Sequence, residues 1–238
     1  GSPIVMPWLG KVKSVLNLYL SGEGSGQAAV SLLYGAANPS GKLAETFPLR
    51  VEDTPAYLSY GKGKLEASYS EDIYVGYRWY DARKLDVQFP FGFGLSYTDF
   101  RLSNLRLSGE TFRKGQTLTA SVDVTNIGRC TGAEVVQLYV GFDGKDTVGR
   151  PLRELRGFEK VMLAPGETKT VTISLDARSF SYWETRIDDW YAEEGSYTVY
   201  VGTSSRDLPL TAKVQVTSMP LPLPADEARR TVGDLLDL

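Results

Sequence analysis

From about Leu102 onward, apolar and polar residues alternate with period two, and turn-forming residues break the alternation at intervals of roughly ten positions. Alternation of this kind places every second side chain on one face of a strand. It predicts strands over 102–107, 118–124, 134–140, 155–161, 169–175, 195–201 and 210–216. Seven short strands with one apolar face each call for an antiparallel β-sandwich. The first hundred residues follow a different period. Val12, Val15, Leu16 and Leu20 recur at helical spacing within 9–20, and Ala28, Ala29, Leu32 and Leu33 do so within 25–34, which predicts two helices. Gly35 supplies the left-handed residue that ends the second helix, and Asn38-Pro39-Ser40-Gly41 reads as a turn.

Between the two regimes, the run Phe89-Pro90-Phe91-Gly92-Phe93-Gly94-Leu95-Ser96-Tyr97-Thr98-Asp99-Phe100 sets aromatics against Gly and Pro. Glycine lets the backbone turn beside bulky rings, and each ring buries a large apolar area, so the run reads as a seam between two modules. The alternative is a Gly/Pro turn between two strands of one domain. The expected division is 1–100, 101–217 and 218–238. The last part opens with Met219-Pro220-Leu221-Pro222-Leu223-Pro224, a stiff extended linker, and ends in an amphipathic stretch over 226–238.

Composition narrows the chemistry. A chain of 238 residues is long enough for two modest domains. Its 42% hydrophobic and 23% charged content with a net charge of -3 gives no strong field, so nucleic acid and anionic membrane are poor partners. No stretch approaches the roughly 18 apolar residues of a membrane span, and no basic segment leads into an apolar run. Cys130 stands alone, which excludes an intrachain disulfide and a cysteine-based zinc site. The absence of histidine removes Ser-His-Asp and Cys-His catalysis and histidine-ligated metals, leaving carboxylates, Lys and Tyr. Neither an oxidising nor a reducing compartment is excluded. The opening Gly1-Ser2-Pro3-Ile4-Val5-Met6-Pro7-Trp8 runs directly into patterned sequence and reads as beginning in mid-domain.

Several blocks, in order, carry a resemblance. Gly35-Ala36-Ala37-Asn38-Pro39-Ser40-Gly41-Lys42-Leu43 with Thr46-Phe47-Pro48, Tyr69-Ser70-Glu71-Asp72-Ile73-Tyr74-Val75-Gly76-Tyr77-Arg78 and the aromatic-glycine run precede Gly132-Ala133-Glu134-Val135-Val136-Gln137-Leu138-Tyr139-Val140. Gly157-Phe158-Glu159-Lys160 and Pro165-Gly166-Glu167 continue the series. Together they resemble glycoside hydrolase family 3, the β-glucosidase and β-xylosidase group. The resemblance implies an α/β remnant followed by an all-β part: an incomplete α/β sandwich domain joined to a seven-stranded fibronectin type III-like β-sandwich. It also implies retaining hydrolysis of terminal non-reducing β-linked glucose or xylose without metal or nucleotide cofactor. In the family, the nucleophilic Asp comes from an N-terminal (β/α)8 barrel and the acid/base Glu from an early loop of the following α/β sandwich domain. Both segments lie upstream of this sequence, so the resemblance implies no catalytic residue here and a missing barrel portion as partner, whether the chain is a tail or the middle of a permuted enzyme. Homo-oligomerisation stays open.

Retaining glycosidases need two carboxyl groups roughly 5 Å apart across the sugar. Glu71 is the exception to consider, because Tyr69, Tyr74, Tyr77, Arg78, Trp79 and Tyr80 surround it with aromatic surface. Glu71 and Tyr69 are the candidate substrate-binding residues; the alternative for Glu71 is an ion pair with an arginine such as Arg78 at a domain contact. Asp72 stands where many family members have Gly, and a Glu71-Asp72 dyad is disfavoured because adjacent strand residues point to opposite faces. Asp188-Asp189 and Glu193-Glu194 flank Trp190-Tyr191 in an expected loop, as a sugar or calcium site or simply as solvated acids. Trp183 and Trp190 are either stacking platforms or core. Lys42 lacks the frame of a phosphate loop.

Overall fold

The computed structural model describes residues 2–61, 67–113 and 115–217. The linker and tail expected over 218–238 lie outside the described residues.

All seven expected strand segments lie in strands, and the sheets hold one more. A five-stranded sheet is built from β4 (Thr111–Arg113), β12 (Leu210–Thr217), β11 (Gly195–Gly202), β6 (Gly132–Phe142) and β7 (Glu154–Leu163), in that order. A three-stranded sheet has the order β3 (Phe100–Leu107), β5 (Leu118–Asn126) and β8 (Thr168–Leu175). Among the described residues these two sheets therefore hold eight strands where seven are expected. β4 has three residues, too few to show an alternation, and it is held by parallel pairing with β12.

Alternation decides the faces. In β5, Leu118, Ala120, Val122 and Val124 are buried while Ser121, Asp123 and Thr125 lie outward, and β8 answers with buried Val171, Ile173 and Leu175. Outward hydroxyls pair across the two strands, Ser121 with Thr172 at 3.0 Å and Thr125 with Thr168 at 2.8 Å. The inward residues of both sheets form one core with Val136, Leu138, Tyr197, Val199, Val214 and Val216. Burial of this kind stabilises by about 25 cal/mol per Å² of apolar surface.

Strand β6 breaks the alternation. Val136, Leu138 and Val140 join the core, but Gln137 and Tyr139 on the opposite face are also buried. A strand buried on both faces must be covered from both sides. The second cover is the N-terminal region.

That region holds little regular structure: α1 (Ser25–Leu33), α2 (Tyr77–Ala82), and an antiparallel pair of β1 (Phe47–Pro48) with β2 (Val87–Phe89). Helix α1 matches expectation and ends at Gly35 with φ +75°. The helix expected over 9–20 is absent. Only Leu9–Lys11 makes a 3-10 turn, and Val12, Val15, Leu16 and Leu20 are all exposed. A short amphipathic helix draws its stability from burying its apolar stripe, and here the stripe meets nothing. The turn expected at Asn38-Pro39-Ser40-Gly41 is also absent; the chain turns earlier, over Tyr34–Ala37, and then extends. Among the described residues, no helix is long and apolar enough to cross a membrane.

Candidate functional site

The segment carrying the candidate residues is fixed to the sandwich by one face of a short helix. Tyr77, Arg78 and Asp81 share one face of α2 at i, i+1 and i+4, and Tyr74 anchors the chain just before the helix. Tyr74 is buried and its hydroxyl donates to Gly149 O at 3.1 Å. Burial, reinforced by nearby acids of which Asp146 is the strongest, pushes its pKa up to about 12. Tyr77 stacks on Phe91 with centroids 5.0 Å apart, meets Tyr139 edge-on at 5.8 Å, and its hydroxyl accepts from Leu155 N at 2.9 Å. Arg78 pairs with Glu154 at 2.9 Å, and Glu154 also takes Arg156.

Asp81 closes the face. Its side chain, 6% exposed, accepts from Arg206 Nε at 3.0 Å and from Arg153 Nη2 at 3.2 Å. Two guanidinium groups compensate one buried carboxylate, the arrangement such a charge requires. On the side of the chain, Trp79 Nε1 donates to Asp53 O at 2.9 Å, and Tyr80 is buried with its pKa raised to about 12, by burial first and the Asp53 charge second.

The aromatic-glycine run lies between this helix and β6. Gly92 O accepts from Gln137 Nε2 at 3.0 Å, the same nitrogen donates to Thr203 O at 2.6 Å, and Tyr139 hydroxyl donates to Gln137 Oε1 at 2.7 Å. Gly92 has φ +81°, and a Cβ there would stand 2.1 Å from Gln137 Oε1, so both conformation and space demand glycine. Phe91 O accepts from Ser205 N at 2.9 Å, and Phe89 stacks on Phe93 at 5.2 Å.

Tyr69 and Glu71 sit together in the turn just before this anchored face. Tyr69 is 80% exposed, and its carbonyl accepts from Asp72 N. Glu71 is partly buried, and its Oε2 is buried without a hydrogen-bond partner. Buried polar atoms are nearly always paired, so an orphaned carboxylate oxygen marks a place where a donor belongs. The ion pair considered between Glu71 and Arg78 is not made, because Arg78 is taken by Glu154. Asp72 lies in the turn with φ +51°, not in a strand, so the strand argument against a Glu71-Asp72 dyad does not apply.

The acidic loop expected around Trp190 is a hairpin. β9 (Tyr182–Glu184) pairs with β10 (Asp189–Tyr191), placing Trp190 opposite Trp183. Glu193 is held by Arg150. Both tryptophans are exposed, which removes the core alternative. Among the described residues, no three acidic or cysteine side chains gather as a metal site.

Sequence reasoning missed Asn38, Gln137 and Asp81. Asn38 Oδ1 accepts from Tyr97 N at 2.8 Å and Ser96 Oγ at 2.9 Å, while Nδ2 donates to Thr131 O at 3.0 Å. These three bonds explain why its stretch extends instead of turning. Lys42 is likewise structural, bridging Glu134 at 2.6 Å and Gly94 O at 3.0 Å. Only Asp81 carried a signal, its spacing from Tyr77 and Arg78.

Comparison with known proteins covers most of the chain. Residues 1–97 match the Glycosyl hydrolase family 3 C-terminal domain and residues 134–205 the Fibronectin type III-like domain. The chain is 48% identical over 218 residues to Thermostable beta-glucosidase B of Acetivibrio thermocellus, covering 92% of this chain and 29% of that protein. It is 41% identical over 210 residues to Exo-alpha-(1->6)-L-arabinopyranosidase of Bifidobacterium breve, covering 88% and 27%. The crystal structure of Bifidobacterium adolescentis GH3 beta-glucosidase superposes with a TM-score of 0.83 at 39% identity, covering 93% of this chain and 33% of that one. The chain thus spans about a third or less of the length of these relatives.

Proposed function

Since the chain belongs to glycosyl hydrolase family 3, we propose that it is the C-terminal part of a retaining β-glycosidase, a β-glucosidase removing terminal non-reducing β-linked glucose. In this reading, residues 1–100 end an α/β sandwich domain and 101–217 form the fibronectin-like domain. The two reacting carboxyl groups, needed roughly 5 Å apart, come from a barrel portion and an early sandwich loop outside this chain. The present residues act as scaffold. Tyr69 and Glu71 face the substrate, with Glu71 Oε2 accepting a sugar hydroxyl or a donor from the catalytic loop.

The observation that carries this reading is the uneven coverage: nearly all of this chain aligns, at 48% identity, with 29% of a β-glucosidase. The exposed Ile4, Trp8, Leu20, Leu33, Tyr34 and Leu58 support it, as apolar surface for the remaining portion to cover. That a relative named as an arabinopyranosidase is 41% identical over the same region supports sugar choice being set elsewhere. The test is turnover of an aryl β-glucoside. Residues 1–238 alone are expected to show none, and co-production with the barrel portion of the parent to restore it. Turnover by the isolated chain at parent-like rates would defeat the reading. The exposed tryptophan pair favours a second role for the sandwich, in binding carbohydrate without catalysis.

A further inference from the structure

We propose that the β9–β10 hairpin is a non-catalytic sugar-binding platform, in which Trp183 stacks on the apolar face of a β-linked glucosyl unit. The site lies in the sandwich, on an element the scaffold role does not use. Its ligand class rests on the proposed glycosidase reading; the platform itself does not.

Alternation along the two short strands separates two faces. Tyr182 and Tyr191 point one way, packed edge-to-face at 5.8 Å, with the Arg150 guanidinium 4.8 Å from the Tyr182 ring. Glu184 shares that face and is fully buried, its carboxylate accepting from the backbone N of Arg186 at 3.0 Å and from Arg186 Nε at 3.2 Å. Trp183 and Trp190 occupy the other face, 46% and 37% exposed. Phe112, Phe180 and Tyr197 of the sandwich interior are, by contrast, at most 3% exposed. A hairpin of two three-residue strands is marginal by itself. This one is held from beneath by a buried ion pair and presents two indoles to water.

The indoles are ordered, not merely exposed. Their rings meet at 76° with centroids 5.5 Å apart, forming a corner. The Arg178 guanidinium sits 3.7 Å over the Trp190 ring, so Trp190 is occupied and Trp183 is the more open surface. Arg178 projects from the 3-10 turn Ala177–Phe180, which Asp176 and Ser179 fix with a reciprocal capping pair. Among the described residues its guanidinium has no carboxylate partner in an ion pair, which leaves N–H donors at the rim of the corner. Asp189 pairs with Glu184 and so belongs to the opposite face, one oxygen accepting from Trp190 N at 2.7 Å. A β-glucosyl ring has equatorial hydroxyls and axial C–H bonds, so its face is apolar and its rim polar. Trp183 with Arg178 offers the complement: an aromatic face and donors beside it.

Isothermal titration of residues 1–238 with a cello-oligosaccharide tests this, with the indole N–H resonance of Trp183 as second readout. Saturable binding with a shift of that resonance is expected, weakened about tenfold or more by Trp183→Ala and less by Arg178→Ala. Trp183→Phe keeps a stacking face and should retain most of the affinity, which guards against an Ala variant that fails to fold. No saturable heat, or binding unaffected in a folded Trp183→Ala chain, would overturn the proposal. So would an effect of Trp183→Ala on hairpin protection alone, because the pair would then only staple the hairpin. Turnover plays no part in these readouts, so failure of the catalytic reading leaves them interpretable.

Discussion

The two regions of this chain handle apolar residues in opposite ways. In the sandwich, inward residues such as Leu138, Val124, Leu175 and Val216 are completely buried, while outward positions are largely polar. Among the described residues of the first 97, only Met6, Phe47, Pro48, Tyr74 and Tyr80 are buried apolar side chains, and exposed ones run from Ile4 to Tyr97. Tyr74 is buried by the sandwich, through its bond to Gly149. The difference teaches that regular structure here follows the availability of a partner surface more closely than pattern. A helical stripe at 12–20 stays unwound without a partner, while three-residue strands form where neighbours hold them.

The contrast is sharpest at a core position. Leu138→Ala should cost about 3 kcal/mol and lower the thermal transition by several degrees, as a cavity in a core closed on both sides cannot collapse. Next comes the attachment of α2. Asp81→Ala leaves Arg153 and Arg206 without their carboxylate and should weaken the docking of 67–83 by about 2 to 3 kcal/mol, less than for a fully buried pair because both arginines keep some solvent. Hydrogen exchange should show that segment losing protection while β5 and β6 keep theirs. If the whole chain melts together, the two regions are not separable. Gly92→Ala introduces a Cβ against Gln137 at an unfavourable φ and should cost about 2 kcal/mol, read as a lower denaturant midpoint.

Alkaline pH probes both regions at once. Tyr74 and Tyr80 of the first region and Tyr197 of the core have folded pKa values raised to about 12, so each holds its proton more tightly when folded. Their contribution is intact below the unfolded value near 10 and is lost as pH rises through about 12; by pH about 11 each should have lost about 1 kcal/mol. Denaturant midpoints measured across that window should fall, with tyrosinate absorbance rising in step. The smallest effect is expected at Leu33→Ala, 68% exposed, which should stay within about 0.5 kcal/mol in the isolated chain. A loss as large as that of Leu138→Ala would erase the comparison.

Much of the sandwich was legible because period-two alternation survives wherever one face is wet, as in β5 and β8. What escaped were elements held by distant neighbours. β4 depends on parallel pairing to β12, and β9 and β10 on each other, with too few residues to show a period. The site was half legible. Tyr74, Tyr77 and Arg78 stand out by composition, and the helical face that Tyr77 and Arg78 share with Asp81 is a spacing anyone can read. Asn38 and Gln137 give no such signal, since a polar residue in an apolar run declares nothing about a partner 93 or 66 positions away.

Hydrogen exchange of residues 1–238, alone and assembled with the barrel portion of a parent β-glucosidase, tests the proposed scaffold most directly. Amides over 4–34 should exchange freely in the isolated chain and gain strong protection on assembly, while those over 118–140 stay protected in both states. Protection over 4–34 already equal to that of the sandwich in the isolated chain, or unchanged on assembly, would contradict the account.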